Sequence, residues 1–388
     1  MRIALISPGS FPVPIRYGGS SVETAISNIA PRLPADWTVT VLGKRFPGLK
    51  ARETKNRVTY VRLKETAQKD YLHACIQYLQ KVPHDMVQVE NRPAFVPLLK
   101  KTLSCPVLLS LHSVTFLKPR ALKGYTPQSC LNHADHIITN SRYLRSLLNA
   151  RYGTSTPIHP VHLGVDTKRY RAHWNERERT ARRLRSRFNV SRRIVVLFAG
   201  RLIPIKGVHL LLKAMHQAVK REPRLLCLVV GGSRYGSNRE TRYVRTLKRI
   251  AKPIRRHVRF VGTIHPMKMP SYYALADLVV TPSIGPEALG LVNLEAMASG
   301  KPVISTAVGG IRETVDTGKS GILIKPSRLK RELAPSILKL SKNPSVRKRM
   351  GQKGRQIAEG RFSWERTARQ YAERYERILQ DKIKGHEG

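Results

Sequence analysis

The chain has 388 residues, of which 71 are Lys or Arg and 25 are Asp or Glu, giving a formal net charge of +46. Hydrophobic residues make up 41% of the chain, and this content with the length suggests two domains or one large one. Apolar runs recur throughout and low-complexity tracts are absent, which excludes a disordered chain. The excess of positive charge predicts a polyanionic partner or setting: nucleic acid, an anionic membrane surface or an acidic polymer.

The cysteines and the first residues indicate the cellular compartment. Four cysteines are too few to staple a chain of this length, and none forms a C-x-x-C pair, which excludes a disulfide framework and a zinc ribbon. We expect buried thiols in a reducing compartment. The first apolar run is broken at Pro8, too early for a secretory segment, and no stretch reaches the roughly 20 apolar residues of a membrane-spanning helix. We therefore expect a cytoplasmic protein.

Short apolar runs alternate with longer helical patterns, which is typical of βα units and a parallel sheet. In the first half, strands are predicted at 3–7, 38–42, 58–63, 86–90, 107–112 and 136–140, and helices at 20–33 and 71–81. A second series of strands is predicted at 194–199, 225–230, 258–262, 278–282, 303–305 and 321–324. Its helices are predicted at 208–219, 291–299 and 327–340, the last of them kinked or divided at Pro335. Apolar residues at helical spacing predict one more helix over 364–383.

These two series predict an α/β protein with two doubly wound domains. We place the domains at 1–165 and 194–362, with a charged linker at 166–193 and a terminal segment at 363–388. The linker carries eleven Lys and Arg against three Asp and Glu. Ligands of doubly wound sheets bind beyond the carboxyl ends of the strands, so two facing domains predict a site in an interdomain cleft.

The most informative stretch is 281–302, which reads as strand, loop, helix and turn. Gly290 stands at the entrance of the predicted helix, where backbone N–H groups and the helix dipole favour an anion such as phosphate. Glu287 lies in the preceding loop and Glu295 about one turn inside the helix, so the two carboxylates can accept hydrogen bonds from different hydroxyls of one ligand. The alternative is a capping Glu and a solvated Glu.

Glu287, seven intervening residues and Glu295, followed by A-M-A-S-G-K-P-V-I, resemble the E-x7-E signature of retaining glycosyltransferases of family 4. The resemblance covers nearly the whole chain and includes G-R-L-I-P-I-K-G at 200–207, H-L-G-V-D at 162–166 and F-S-W-E at 362–365. It implies the GT-B architecture: two facing Rossmann-like domains, a cleft between them, and a C-terminal helix that crosses back to pack on the first domain. V-E-N-R-P at 89–93 and the run 111–119 resemble a subgroup associated with the spore coat of spore-forming bacteria.

The resemblance implies a nucleoside-diphosphate sugar as donor substrate, with a UDP-sugar favoured, and neither a cofactor nor a metal. It assigns the nucleotide to Gly290, Leu291, Val292 and Glu295, with Glu295 accepting the ribose hydroxyls. Glu287 then accepts hydroxyls of the transferred sugar.

Arg201 and Lys206 follow the predicted strand 194–199 at its carboxyl end, where their charges suit a departing diphosphate. In so basic a chain their number alone means little, and the family motif gives them their role.

Two features of the first domain add to the predicted site. Gly18 and Gly19 follow the first strand, and small residues there let a backbone approach a ligand closely. Plain loops also use such pairs; in the family this loop touches the donor phosphate and the acceptor. His112 ends the strand 107–112, where the family places a His near the transferred sugar, the alternative being a structural His.

Competing signatures fail on inspection. Gly318-Lys319-Ser320 has the tail of a Walker A motif, but Glu313 stands where the first Gly is required. No two aspartates stand at D-x-D spacing, so the metal-diphosphate grip of the other large glycosyltransferase architecture is missing. Sparse aromatic residues in the basic runs and the lack of a nucleic-acid fold signature disfavour nucleic acid as a partner.

We therefore expect retaining, metal-independent transfer of a sugar to a cell-envelope, spore-coat or lipid-linked acceptor. An acidic or membrane-associated acceptor would account for the charge and would place the protein at the inner membrane face or on the coat. The alternative hypothesis is a basic scaffold that binds an acidic polymer or a coat assembly with little or no catalysis.

Overall fold

The computed structural model describes residues 1–15, 20–64, 67–172, 178–233, 238 and 240–384. It divides into two compact units. The first comprises Met1–Leu163 together with the segment that begins at Trp364, and the second comprises Gly164–Ser363.

The first unit is built on one eight-stranded sheet. Its strands are β1 (Arg2–Ile6), β2 (Thr38–Lys44), β3 (Arg52–Lys55), β4 (Val58–Leu63), β5 (Met86–Glu90), β6 (Val107–Leu111), β7 (His136–Thr139) and β8 (Ile158–Pro160). Its helices include α1 (Ser21–Ile29), α2 (Gln68–Lys81), α3 (Val96–Thr102), α4 (Pro119–Leu122), α5 (Pro127–Asn132) and α6 (Arg142–Tyr152). The strand order is β3-β4-β2-β1-β5-β6-β7-β8, and the β3–β4 pair alone is antiparallel among the described strands. Strands β5 and β6 are buried along their whole length, as expected for a parallel sheet covered on both faces.

The second unit is built on six parallel strands. They are β9 (Ile194–Ala199), β10 (Leu225–Val230), β11 (Val258–Gly262), β12 (Leu278–Thr281), β13 (Val303–Thr306) and β14 (Gly321–Ile324). Its helices are α7 (Glu178–Arg187), α8 (Val208–Ala218), α9 (Arg242–Ala251), α10 (Met269–Leu275), α11 (Leu291–Ala298), α12 (Ile311–Thr314), α13 (Leu329–Lys342) and α14 (Pro344–Arg361). The order β11-β10-β9-β12-β13-β14 is that of a Rossmann sheet, whose strand order reverses between the first and fourth strands, here β9 and β12.

The last helix, α15 (Trp364–Lys384), belongs to the first unit. Its apolar residues recur at helical spacing, and Trp364, Tyr371, Tyr375 and Ile378 are all buried. Arg32 Nε pairs with Glu365 Oε1 at 3.2 Å, beside the end of α1. The described helices include none that is long and apolar enough to span a membrane.

Two predicted features differ from the structure. The segment 166–193, predicted as a linker, lies inside the second unit and contains α7. It docks because Arg185 donates from Nη1 to the Leu275 carbonyl at 2.7 Å and to Asp277 Oδ2 at 3.2 Å. Helix α13 is also not divided at Pro335, since its apolar face packs into the core of the second unit, and a kink at this residue stays a prediction.

Candidate active site

The second unit places its chemistry-bearing residues at the strand-order reversal. The loops after β9 and β12 lie side by side there, and the Ile284 N–H donates to the Ile205 carbonyl at 2.8 Å. Gly207 sits between them with φ +69°, and a Cβ at this position would lie 1.9 Å from the Pro282 carbonyl oxygen. Only glycine permits this approach, so the two loops are held in contact by a residue of the G-R-L-x-x-x-K-G segment.

Glu287, Lys206 and Ser283 form one polar cluster at this point. The Lys206 ammonium pairs with Glu287 Oε1, which also accepts the Ser283 hydroxyl at 2.8 Å. The Lys206 and Glu287 side chains are 24% and 21% exposed, so both remain accessible to a ligand while shielded from bulk water. The cluster therefore places a cation and a carboxylate next to each other at the carboxyl end of the strands.

The backbone of Glu287 is fixed by two glycines after β13. The Gly310 N–H donates to the Glu287 carbonyl at 2.9 Å. Gly309 has φ +53°, and a Cβ on it would lie 2.1 Å from the same carbonyl oxygen. The loop that carries Glu287 thus packs directly against the backbone of Gly309 and Gly310, where a side chain at position 309 would clash with it.

Helix α11 begins directly after Gly290, which has φ +86° and takes the left-handed conformation. Leu291 and Val292 form the first turn and are half-buried, and the first N–H groups of a helix have no partner within it. Asn293 anchors this turn, because its Oδ1 accepts the Thr281 hydroxyl at 2.7 Å. The helix entrance is therefore a rigid source of backbone donors for an anion.

Glu295 lies one turn further along α11. Its Oε2 accepts the hydroxyl of Tyr273 at 2.7 Å, and Tyr170 gives a second hydroxyl to the same carboxylate. Burial raises the pKa of Glu295, and the two hydroxyls with the charge of Arg169 offset part of that rise. The carboxylate is thus partly desolvated and held in one orientation.

Arg201 follows β9 and is exposed. It lies in a loop that is tied to the end of β10, because the Gly200 N–H donates to the Val230 carbonyl at 3.0 Å and the Leu202 N–H to the Gly232 carbonyl at 2.8 Å. Arg201 therefore stands at the carboxyl edge of the sheet, on the loop that continues to Lys206.

The first unit has its own polar cluster at the carboxyl ends of β5, β6 and β7. His112 Nε2 lies 3.0 Å from Glu90 Oε2, and each of these two side chains is 3% exposed. The His112 backbone is fixed by Asn91 Oδ1, which accepts its N–H at 3.2 Å, and by Asn140 Nδ2, which donates to its carbonyl at 3.4 Å. Ser141, next to Asn140, caps α6 through its hydroxyl.

Three buried polar atoms of this unit have no hydrogen-bond partner among the described residues: His112 Nδ1, Asn140 Oδ1 and Glu23 Oε1. Buried polar groups in native proteins nearly always have partners, so these three atoms retain the capacity for a further hydrogen bond, to water or to a ligand. Gly18 and Gly19 lie outside the described residues. Within the described ranges, no group of three or more His, Cys, Asp or Glu side chains is arranged to hold a metal ion.

Comparison with known proteins identifies the family. A model described as Glycosyl transferases group 1 matches residues 182–357, and one described as Glycosyltransferase Family 4 matches residues 18–169. Spore coat protein SA of Bacillus subtilis (strain 168) is 32% identical over 380 residues, which span 97% of this chain and 100% of that protein. The chain belongs to the family 4 glycosyltransferases. The family resemblance predicted from the motifs is confirmed.

Solved structures of low sequence identity share the fold of this glycosyltransferase. Sucrose-phosphate synthase from Thermosynechococcus elongatus aligns with a TM-score of 0.79 at 23% identity, covering 98% of this chain and 99% of that one. HepE of Anabaena, in complex with UDP-glucose, aligns with a TM-score of 0.77 at 21% identity, covering 97% and 99%. The predicted GT-B fold with two Rossmann-like domains is therefore confirmed. The family models show that the protein is an enzyme that transfers a glycosyl group.

The structure adds residues that the motifs do not contain. Ser283 shares the Glu287 carboxylate with Lys206, and Tyr170 and Tyr273 hold Glu295. Ser283 stands four residues before Glu287 in the same loop, so its contact with Glu287 could have been predicted from the sequence. The tyrosines lie far from Glu295 in the sequence, and no local pattern connects them to it.

Proposed function

We propose that this glycosyltransferase takes its sugar from a nucleoside-diphosphate sugar, preferably a UDP-sugar, and transfers it with retention of anomeric configuration. The bond between the sugar C1 and the diphosphate oxygen breaks, and a bond between C1 and an acceptor oxygen forms on the same face. The departing diphosphate oxygen takes the proton of the acceptor hydroxyl, so charge and atoms balance without a further reagent.

The contact between Lys206 and Glu287 carries this proposal. It joins a cation suited to a leaving diphosphate to a carboxylate suited to sugar hydroxyls, at the position where a Rossmann sheet binds its ligand. Negative charge grows on the diphosphate as the bond to C1 breaks, and prearranged cations stabilise that charge more than they stabilise the bound donor. Lys206 and Arg201 supply this stabilisation, and we propose that no metal ion is required for it.

Helix α11 supports the position of the nucleotide. The first turn, at Leu291 and Val292, offers backbone N–H groups to the diphosphate, and Glu295 offers carboxylate oxygens to the ribose hydroxyls. The hydroxyls of Tyr273 and Tyr170 keep that carboxylate in place before the ligand arrives. Such preorganisation lowers the entropic cost of binding.

Single substitutions in the cluster test the proposal. A panel of UDP- and GDP-sugars is first screened by thermal shift and by hydrolysis to identify the donor. Lys206→Ala and Glu287→Ala are each expected to lower turnover by about 10²–10³-fold, as loss of a group that stabilises transition-state charge does. The exposed Lys220 of the same unit is the matched control, and Lys220→Ala should keep wild-type turnover. Turnover near the wild-type rate in Lys206→Ala, or an inverted anomeric centre in the product by NMR, would overturn the proposal.

We further propose an acidic acceptor, either a cell-envelope or coat polymer or an anionic lipid. The net charge of +46 supports it, because two residues aimed at a diphosphate account for little of that excess. The name of the Bacillus relative supports the coat as one setting. The second candidate function, a basic scaffold, rests on the same charge. Absence of any thermal shift with UDP, together with absence of donor hydrolysis, would favour the scaffold over the enzyme.

A further inference from the structure

A chain of hydrogen bonds links the last helix to His112. The Tyr375 hydroxyl of α15 donates to Gln88 Oε1 at 2.8 Å, and Gln88 Nε2 donates to Glu90 Oε1 at 2.5 Å. The other carboxylate oxygen, Glu90 Oε2, faces His112 Nε2 at 3.0 Å. Tyr375 is fully buried, Gln88 is 1% exposed and Glu90 is 3% exposed, so water does not compete for these bonds. These hydrogen bonds therefore form a continuous buried network in the interior of the first unit.

The direction of these bonds determines where the imidazole proton lies. Burial raises the pKa of Tyr375 well above that of a free phenol, so its hydroxyl keeps its proton and can donate. The amide oxygen of Gln88 then accepts, which turns its NH₂ group toward Glu90. When Glu90 is ionised, its carboxylate only accepts hydrogen bonds, and His112 then presents an N–H from Nε2. In the neutral ring, Nδ1 consequently carries the lone pair.

That lone pair has no partner among the described residues, although the side chain is almost fully buried. The second contact of the ring, from Ser110 Oγ at 3.2 Å, is also made at Nε2. Ser110 in turn lies 3.4 Å from the hydroxyl of Tyr371, a further residue of α15. The side-chain contacts described for the ring therefore converge on Nε2, and Nδ1 has no described partner.

We propose that Glu90 is a positioning residue, which the Tyr375–Gln88 chain holds so that His112 Nδ1 accepts a hydrogen bond from a hydroxyl of the bound sugar or acceptor. This inference rests on the proposed function, since it assumes that a hydroxyl-bearing ligand occupies the first unit. It gives the last helix a role in the active site: α15 supplies the first donor of the chain.

Nitrogen NMR of the wild-type protein tests the tautomer directly. With ¹⁵N-labelled histidine, the signals of His112 are assigned by their loss in His112→Gln. We expect a protonated Nε2 and an unprotonated Nδ1 at neutral pH. A protonated Nδ1, in either the neutral or the doubly protonated ring, would overturn the proposal, and the measurement requires neither turnover nor a folded Glu90 variant.

Glu90→Gln tests the consequence for catalysis. A glutamine amide donates as well as accepts, so it no longer fixes the proton on Nε2. We expect kcat to fall about 10–100-fold, the loss seen when the partners that orient metal-binding His residues are removed, while the Kd for UDP stays unchanged because the proposed nucleotide site lies in the second unit. Glu365→Gln, at an exposed ion pair of α15, is the control and should keep the wild-type kcat. A wild-type kcat in Glu90→Gln would overturn the proposal.

Tyr375→Phe removes one hydroxyl from the far end of the chain and preserves the buried ring. We expect a smaller loss of kcat than in Glu90→Gln, with the Kd for UDP again unchanged. Tyr78→Phe, on α2 of the same unit, is the matched control. Equal rates in the two variants would contradict a role for α15. Failure of the wild type to bind UDP or to hydrolyse any donor would instead refute the proposed function, and the tautomer of His112 would still be read independently.

Discussion

At the scale of single residues, Glu295 combines two requirements that oppose each other. A carboxylate that accepts ribose hydroxyls binds them most strongly when it is ionised and shielded from water. The same shielding raises its pKa, and the hydroxyls of Tyr273 and Tyr170 with the Arg169 charge return part of the stabilisation of the ionised form. The proposed role of Glu295 therefore makes the affinity for the nucleotide depend on pH.

The pH dependence of donor binding follows from this coupling. The ionised form of Glu295 is lost as pH falls through its raised pKa, so the affinity for UDP-glucose should fall on acidification at a higher pH than for an ordinary carboxyl group. Calorimetric titrations with UDP-glucose between about pH 5 and pH 8 measure this, since the unperturbed Glu pKa is about 4.3. Glu295→Gln should bind more weakly at neutral pH and without this pH dependence. Glu332→Gln, at a partly exposed surface position, is the control, and an identical pH profile in wild type and Glu295→Gln would exclude the role.

A functional residue can be predicted from the sequence when its partner is close in the chain or when both belong to a known motif. Lys206 and Glu287 are both motif positions, and the structure joins their side chains. The bond from Tyr375 to Gln88 spans 287 residues, and Tyr273 lies 22 residues from Glu295. Such contacts are decided by how helices pack on a sheet, which no local pattern encodes.

At the scale of elements, the conformation of the loop 282–290 depends on its contact with Gly309. Gly309 contacts the Glu287 carbonyl so closely that a Cβ would lie 2.1 Å from it, whereas a Cβ on Gly318 would meet nothing within 4 Å. Both glycines have positive φ, +53° and +80° respectively. Their alanine variants therefore share the backbone strain and differ in the steric clash.

We expect Gly309→Ala to lower turnover more than Gly318→Ala, because only the first displaces the Glu287 backbone. The strain common to both should reduce the free energy of unfolding by about 1 kcal/mol in each. Chemical denaturation and donor hydrolysis, measured on the two variants side by side, separate the contributions. Equal turnover in the two variants would show that catalysis does not require the close contact between Gly309 and the Glu287 backbone.

Element prediction succeeded where burial dominates. Strands β9 and β10 have the predicted bounds, because parallel strands covered on both faces read as continuous apolar runs. Strand β11 also has the predicted bounds, although it is an edge strand and only partly buried. Strand β3 has the sequence R-E-T-K and pairs with β4 through its backbone, so it carries no hydrophobic signal. Strand β8 is three residues long and ends in Pro160, and α7 lies in the charged stretch taken for a linker.

At the scale of the whole molecule, many arginines are anchored without being neutralised. Arg193 Nη1 donates to the Pro223 carbonyl at 3.0 Å and Arg259 Nη1 to the Phe188 carbonyl at 2.7 Å. A backbone carbonyl fixes the guanidinium but leaves its full charge. The excess of 71 basic over 25 acidic residues is therefore expressed as a positive field around the protein.

This field predicts salt-sensitive association with anionic material. Vesicles of phosphatidylglycerol and phosphatidylcholine should bind the protein in about 0.1 M NaCl and release it in about 1 M, where the screening length falls from about 10 Å to about 3 Å. Pure phosphatidylcholine vesicles are the control and should not bind it. Competition by soluble polyphosphate distinguishes a general preference for phosphate polymers from a preference for the bilayer. Binding that persists in about 1 M NaCl would contradict an electrostatic origin.

The assignment of α15 to the first unit also bears on how the protein is made. Residues 364–384 leave the ribosome after the second unit, whose chain is continuous from Gly164 to Ser363, has been synthesised in full. Domains generally fold as units during translation. The nascent first unit therefore lacks α15, with the partners of Tyr371 and Tyr375 uncovered, until the second unit has been synthesised. The unit whose translation begins first is completed only after the other.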